Sequence, residues 1–157
     1  MSGRAEVWRL RQRLEATMSR VVLVQHDPEL QSDFAKYLCV LVSGYVETAV
    51  TELLLEHSRR NAAPTVQRYV EARTRRLTNL NSERLQQLLG SFDQDWREDL
   101  SLLLVDEKKD ALDSVVNLRN KIAHGDSVGV TYHRIAEYYR HISPVVERVA
   151  DLCAPDL

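Results

Sequence analysis

Apolar residues recur every three or four positions along nearly the whole chain. Nowhere do they alternate with polar residues as a half-buried strand requires, so the pattern predicts helices throughout. Val7, Leu10, Leu14, Met18, Val21 and Val22, with Trp8 beside them, predict a first helix from Arg4 to about Val24. Asp27-Pro28 then combines an N-cap side chain with proline at the first helical position, where its missing N–H would have no helical partner anyway. The second helix runs from there to about Arg60 and ends before Asn61-Ala62-Ala63-Pro64. Leu30, Phe34, Leu38, Leu41, Tyr45, Ala49 and Leu53 form its stripe. Between Tyr37 and Val50 this helix is apolar nearly all round, which predicts a central, buried element. Ser43-Gly44 within it predicts a close approach by a neighbouring helix.

Shorter elements follow. A basic helix is predicted over about Thr65 to Arg76, and Asn79-Leu80-Asn81-Ser82 reads as a turn and cap. Glu83 to Phe92 is a short helix, and Asp93 to Val105 is a further short helix or a turn. Asp106 to His124 is an amphipathic helix stopped by Gly125. After a loop over 126–130, a last helix runs from Thr131 to about Leu152, with Pro144 expected to kink it. Short connections favour antiparallel neighbours, so the expected fold is all-α: one domain over residues 1–157, an up-and-down helical bundle around a long central helix.

Composition fits that architecture. Apolar residues make up 44% of the 157, enough for a real core. The net charge of −2 carries no global nucleic-acid signal, but its distribution does. Between His57 and Arg84, seven arginines (Arg59, Arg60, Arg68, Arg73, Arg75, Arg76 and Arg84) face only Glu71 and Glu83. Such a run serves either as a solvated helical face or as a track for an RNA backbone. Cys39 and Cys153 belong to no Cys-x-x-Cys pair, and Cys39 reads as a small core residue. The expectation is a reducing, cytoplasmic setting with no metal and no cofactor. The N-terminal stretch has no apolar h-region, and the longest apolar run, Tyr37 to Val46, is far short of the ~20 residues of a membrane span.

One segment carries chemistry: Arg119-Asn120-Lys121-Ile122-Ala123-His124-Gly125. Arginine is a permanent, planar phosphate ligand, and histidine is the side chain suited to moving a proton near neutral pH. On a helix, Ala111, Val115, Leu118 and Ile122 share one apolar strip, while Leu112, Val116 and Ala123 form a second beside it. Arg119 falls between the strips, where a cation is partly desolvated and needs a partner. Five residues along an ideal helix place Arg119 and His124 ~140° apart. Three arrangements would reconcile them: the last turn unwinds before Gly125, the arginine reaches around, or a second copy completes the pair across a two-fold axis. The width of the apolar arc favours a self-interface.

The string Leu118 to Gly125 resembles the signature of the HEPN superfamily (higher eukaryotes and prokaryotes nucleotide-binding). Members carry arginine and histidine separated by a few residues, commonly with asparagine after the arginine and a small residue before the histidine. Those positions are Arg119, Asn120, Ala123 and His124. The segment from Phe34 to Glu47 looks like the long central helix of the RiboL-PSP-HEPN branch, and the likeness extends from about Asp27 to the C-terminus. The resemblance implies a helical bundle, a homodimer and metal-independent endoribonuclease activity. It also implies roles in toxin–antitoxin systems, phage defence or RNA processing, with an antitoxin or another protein as a further partner. Some members lack activity and serve as binding modules.

On this reading His124 is the general acid or base, Arg119 holds the phosphate, and Asn120 orients His124 or the substrate backbone. Lys121, Arg73, Arg75 and Arg76 are the candidate RNA contacts. Glu47 lies in a very apolar part of the central helix and needs a partner. It either contacts and fixes Arg119, or is an ordinary exposed edge or a structural ion pair with another arginine. His26, His57, His133 and His141, and Tyr132, Tyr138 and Tyr139, read as surface or packing residues. Two alternatives stay open beside the nuclease: a catalytically silent HEPN module that binds RNA, a nucleotide or a protein, and a helical adaptor in which Arg-x4-His is coincidental.

Overall fold

The structure, a computed structural model, describes residues 2–24 and 26–155. Among these are seven α-helices and no strand: α1 (Gly3–Val21), α2 (Pro28–Asn61), α3 (Pro64–Thr74), α4 (Ser82–Gly90), α5 (Gln94–Leu103), α6 (Asp106–Ala123) and α7 (Tyr132–Cys153). The expected all-α bundle is present.

Local chemistry sets most boundaries. The Asp27 side chain accepts the Leu30 N–H at 3.0 Å, with Pro28 opening α2. Asn81 caps α4 through the Arg84 N–H, and Thr131 caps α7 through the Arg134 N–H. Two boundaries differ from expectation. The first helix ends at Val21 and passes into a 3-10 turn over Val22–Val24. The basic helix ends at Thr74, so Arg75 and Arg76 lie beyond it. Of the two forms expected for the stretch after Asp93, the structure has the helix, capped by Asp93. Pro144 sits within α7 without ending it, on the solvent side, where the unpaired Arg140 carbonyl can face water.

α2 is the axis of the bundle. Its 34 residues extend for about 51 Å, and it packs against α1, α7, α6 and α3. Leu38, Val42, Ala49, Val50, Leu53 and Leu54 are fully buried along it. Cys39 is buried too; its thiol meets the Val115 carbonyl at 3.6 Å, and burial pushes it up to about 11. By length and mean hydropathy, a stretch of α2 passes for a membrane span, which the apolar run length alone does not suggest. More than half of that stretch is buried inside the bundle.

The expectation of burial on every side of α2 is not met. Tyr37 is 53% exposed and Val40 38%, and Leu30 is exposed nearer the helix start. Nor does Gly44 admit a neighbouring helix. A Cβ added there would meet nothing within 4 Å. Ser43, by contrast, is buried. Glycine within a helix costs about 1 kcal/mol relative to alanine, and no packing inside this chain offsets that cost at Gly44.

Candidate functional site

α6 carries the Arg-x4-His segment. It enters without a side-chain cap, and its first residue, Asp106, takes a left-handed φ of 49°. Both apolar strips of α6 are used within the chain. Ala111, Leu112, Val115 and Val116 are buried, and Leu118 and Ile122 pack against the core from half-buried positions. The partners of α6 are α2, α7 and α4. The wide arc is therefore filled intramolecularly and is no reason for a self-interface through α6. Ala123 alone of the two strips is exposed.

The end of α6 is fully formed. The His124 N–H bonds the Asn120 carbonyl at 3.0 Å, so the turn ahead of His124 stays helical. Gly125 follows at φ 77°, a left-handed conformation that glycine adopts without a Cβ clash. Its N–H reaches the Ile122 carbonyl at 3.1 Å, and the Asp126 N–H reaches the Lys121 carbonyl at 2.9 Å. This paired closure is a Schellman motif. It removes the option that the last turn unwinds to swing His124 towards Arg119.

The two chemical groups therefore diverge. Arg119 is half-buried, and its Nη1 donates to the Asn120 Oδ1 at 3.3 Å. His124 and Lys121 are exposed. Asn120 accepts from Arg119 through its side chain and from the His124 N–H through its backbone carbonyl, so it links the two residues.

Glu47 lies beside Arg119 and does not grip it. Burial raises its carboxyl above the ordinary carboxylate value; the positive charge of Arg119 and a hydrogen bond from the Asn79 amide work in the opposite direction. The Asn79 N–H donates to Glu47 Oε1 at 3.2 Å. No Glu47–Arg119 ion pair within 4.0 Å occurs among the described residues. The hydrogen bond that Glu47 makes is therefore to the loop at Asn79, and not to Arg119.

That loop, residues 75–81 between α3 and α4, is anchored twice. Glu47 of α2 holds Asn79, while Asp113 of α6 accepts both the Ser82 N–H at 2.8 Å and the Ser82 hydroxyl at 2.9 Å. Asn79 sits at φ 54°, a conformation asparagine tolerates better than most residues, and its Oδ1 is buried without a partner. Asn79, Ser82 and Asp113 are the residues that sequence reasoning missed. Asn79 and Ser82 carried a turn signal, but nothing in the spacing tied that turn to Glu47 or Asp113.

The basic residues sit on and just after α3. Arg73, Arg75 and Arg76 are exposed, and Arg75 has only a 3.7 Å contact with Glu71. Arg76 lies three residues before Asn79, so their Cα atoms are within about 11 Å. A groove of about 510 Å³ along α3 is lined by Pro64, Gln67, Arg68, Glu71, Ala72 and Arg75, and by none of Arg119, Asn120, His124 or Glu47.

The remaining histidines, with Tyr132, Tyr138 and Tyr139, lie at surface or packing positions. The His57 ring lies 4.7 Å from that of Trp96, and its Nδ1 is 3.2 Å from the Cys153 carbonyl. Tyr139 is buried edge-on to Tyr45 and donates to Glu15 Oε1 at 2.8 Å. His26 and His133 are exposed, while His141, Tyr132 and Tyr138 are half-buried.

Comparison with known proteins adds one match. The family model RiboL-PSP-HEPN aligns with residues 8–154. No curated protein and no solved structure gave a match to the chain.

Proposed function

Since the chain belongs to the RiboL-PSP-HEPN family, we propose that it is a metal-independent endoribonuclease that cuts RNA through its own 2′-hydroxyl. Domains of this family are ribonucleases or nucleotide-binding modules. One observation carries the nuclease reading. The complete motif closes α6 with an exposed His124, while Arg119 is half-buried on a single long hydrogen bond beside Glu47.

The chemistry follows from those groups. His124 takes the proton of the 2′-hydroxyl as general base. The 2′-oxygen forms a bond to phosphorus, the bond from phosphorus to the 5′-oxygen breaks, and the departing oxygen takes a proton from a general acid. Arg119 exchanges its 3.3 Å bond to Asn120 for the non-bridging phosphate oxygens and holds the charge that develops there. The products are a 2′,3′-cyclic phosphate and a 5′-hydroxyl. Asn120 and Glu47 position Arg119, and Lys121, Arg73, Arg75 and Arg76 hold flanking phosphates. Because one chain splays Arg119 and His124 apart, the acid comes from the histidine of a second copy in a homodimer. The setting is cytoplasmic, in a toxin–antitoxin pair or a phage-defence system, with an antitoxin or another protein as the controlling partner.

A second reading draws on that same divergence: a catalytically silent HEPN module that binds RNA, a nucleotide or a protein. Incubation of total RNA with wild type, Arg119→Ala and His124→Ala, each with and without EDTA, separates the two. The nuclease reading expects EDTA-insensitive cleavage that falls by roughly 10²–10⁴-fold in His124→Ala. Equal cleavage by that variant defeats it, and RNA binding without cleavage by wild type selects the silent module.

A further inference from the structure

The solvent flank of α3 carries a ring and two cations without partners among the described residues, and we infer that it seats single-stranded RNA, with an unpaired base stacked on Tyr69. α3 packs against α2, and Val70 and Thr74 are its buried positions. Val66, Tyr69 and Arg73 lie within about 60° of one another around the helix axis, so they form one strip beside those positions. Val66 is 48% exposed and Tyr69 64%. Arg73 is exposed as well, and Arg76 follows on the turn after the helix. Among the described residues the Tyr69 ring meets no other ring and no cation, and its hydroxyl makes no hydrogen bond. Arg73 and Arg76 have no ion pair there either.

The chemistry of the strip selects its occupant. A tyrosine ring offers a stacking face to any base, and arginines beside it hold the phosphates of the same strand. Ring and cations are used together only where the base is unpaired, because a duplex covers the faces of its bases. An acidic protein would use the cations and gain little from the ring. The other flank of α3 suits a polyanion less: there Glu71, 3.7 Å from Arg75, puts a carboxylate into the groove. The strip also leads to the site. Arg76 and then Asn79 follow it along the chain, and Asn79 bonds Glu47 beside Arg119. Tyr69 is at most about 26 Å from Asn79, counting helical rise to Thr74 and extended chain beyond it. A strand cut at Arg119 therefore reaches Tyr69 with its flanking nucleotides. The inference rests on the proposed nuclease for this path to the site; the platform itself is tested by binding.

Fluorescence anisotropy of labelled oligoadenylate and of a blunt RNA duplex, with the full chain carrying His124→Ala as parent, tests it. Tyr69→Ala should weaken oligoadenylate binding by roughly 5- to 100-fold, the worth of one stacked base. The slope of log affinity against log salt should stay the same, because no phosphate contact is lost. Tyr69→Phe keeps the ring and should bind like the parent. Neither change should alter duplex binding. Because Tyr69 is exposed, both variants should keep the parent's circular dichroism. Unchanged oligoadenylate affinity in Tyr69→Ala, an equal loss on the duplex, a changed salt slope, or a Tyr69→Phe protein as weak as Tyr69→Ala each overturns the platform. So does a parent that binds polyglutamate and no RNA, which makes the strip a protein-docking face. If wild type still cuts RNA after any of these results, the nuclease stands without the platform. Ring-dependent binding by a protein whose wild type cuts no RNA sinks the nuclease and leaves the platform standing.

Discussion

Glu47 Oε1 accepts the backbone N–H of Asn79 at 3.2 Å, so a carboxylate on the central helix fastens the α3–α4 loop beside the half-buried Arg119. Loop, arginine and central helix thus form one electrostatic unit, and perturbing any of them should be felt by the others.

The first consequence concerns pH. Burial holds the folded carboxyl of Glu47 above its ordinary value of 4.5, so the folded state binds this proton more tightly than the unfolded chain. The resulting stability is fully present below the unfolded pKa and is lost as pH rises through the folded one. Glu47→Gln keeps an acceptor for Asn79 and cannot ionise. Relative to wild type it should gain stability between acid and neutral pH, read by urea unfolding at several pH values. A relative loss over that range would contradict the direction of the shift.

Gly125→Ala should cost about 1 kcal/mol, because φ of 77° forces a Cβ into the left-handed region. Thermal unfolding should show a fall in Tm of roughly 2–4 °C for a domain of this size. RNA cleavage should fall with it, since the same turn sets the direction of His124. An unchanged Tm would mean the C-terminal turn of α6 relaxes freely.

Removing the Asp113 carboxylate strips both partners from the buried Ser82. Asp113→Ala should lower stability by about 1–3 kcal/mol, because a buried N–H is left unpaired. Asp113→Asn retains one acceptor and should recover part of the loss. Denaturant midpoints for the two variants make the comparison; no difference between them would remove the anchoring role.

Replacing Arg73, Arg75 and Arg76 by alanine, in a His124→Ala background that binds without cutting, should weaken binding to single-stranded RNA. The slope of log affinity against log salt should drop by about 0.7 for each phosphate that is no longer neutralised. Fluorescence anisotropy across a salt series measures both. Affinity and slope equal to those of the parent variant would make these arginines a solvated face only.

Helix identities and several ends were legible because their causes are local. Asp27-Pro28 starts α2 by a cap and a fixed φ, and Gly125 stops α6 by the only conformation that closes its last carbonyls. The Arg119–His124 spacing was legible for the same reason, together with the angle that keeps them apart. The error in α3 is also local: Arg75 and Arg76 suit a helix well, but Thr74 begins the turn into a loop whose anchors lie elsewhere.

Periodicity and capping thus determined that this chain is a set of helices around α2 with one Arg-x4-His segment at the end of α6. Only the packed structure decided that Glu47 holds Asn79, that Asp113 holds Ser82, that both strips of α6 are spent in the core, and that Gly44 faces open space. The physical reason is the same in each case. A hydrophobic repeat says which residues share a face, but not how far each helix is rotated about its axis against its neighbours. That rotation is settled by the filling of one core from many elements at once, and it chooses partners 31 or 32 residues apart that no local pattern records.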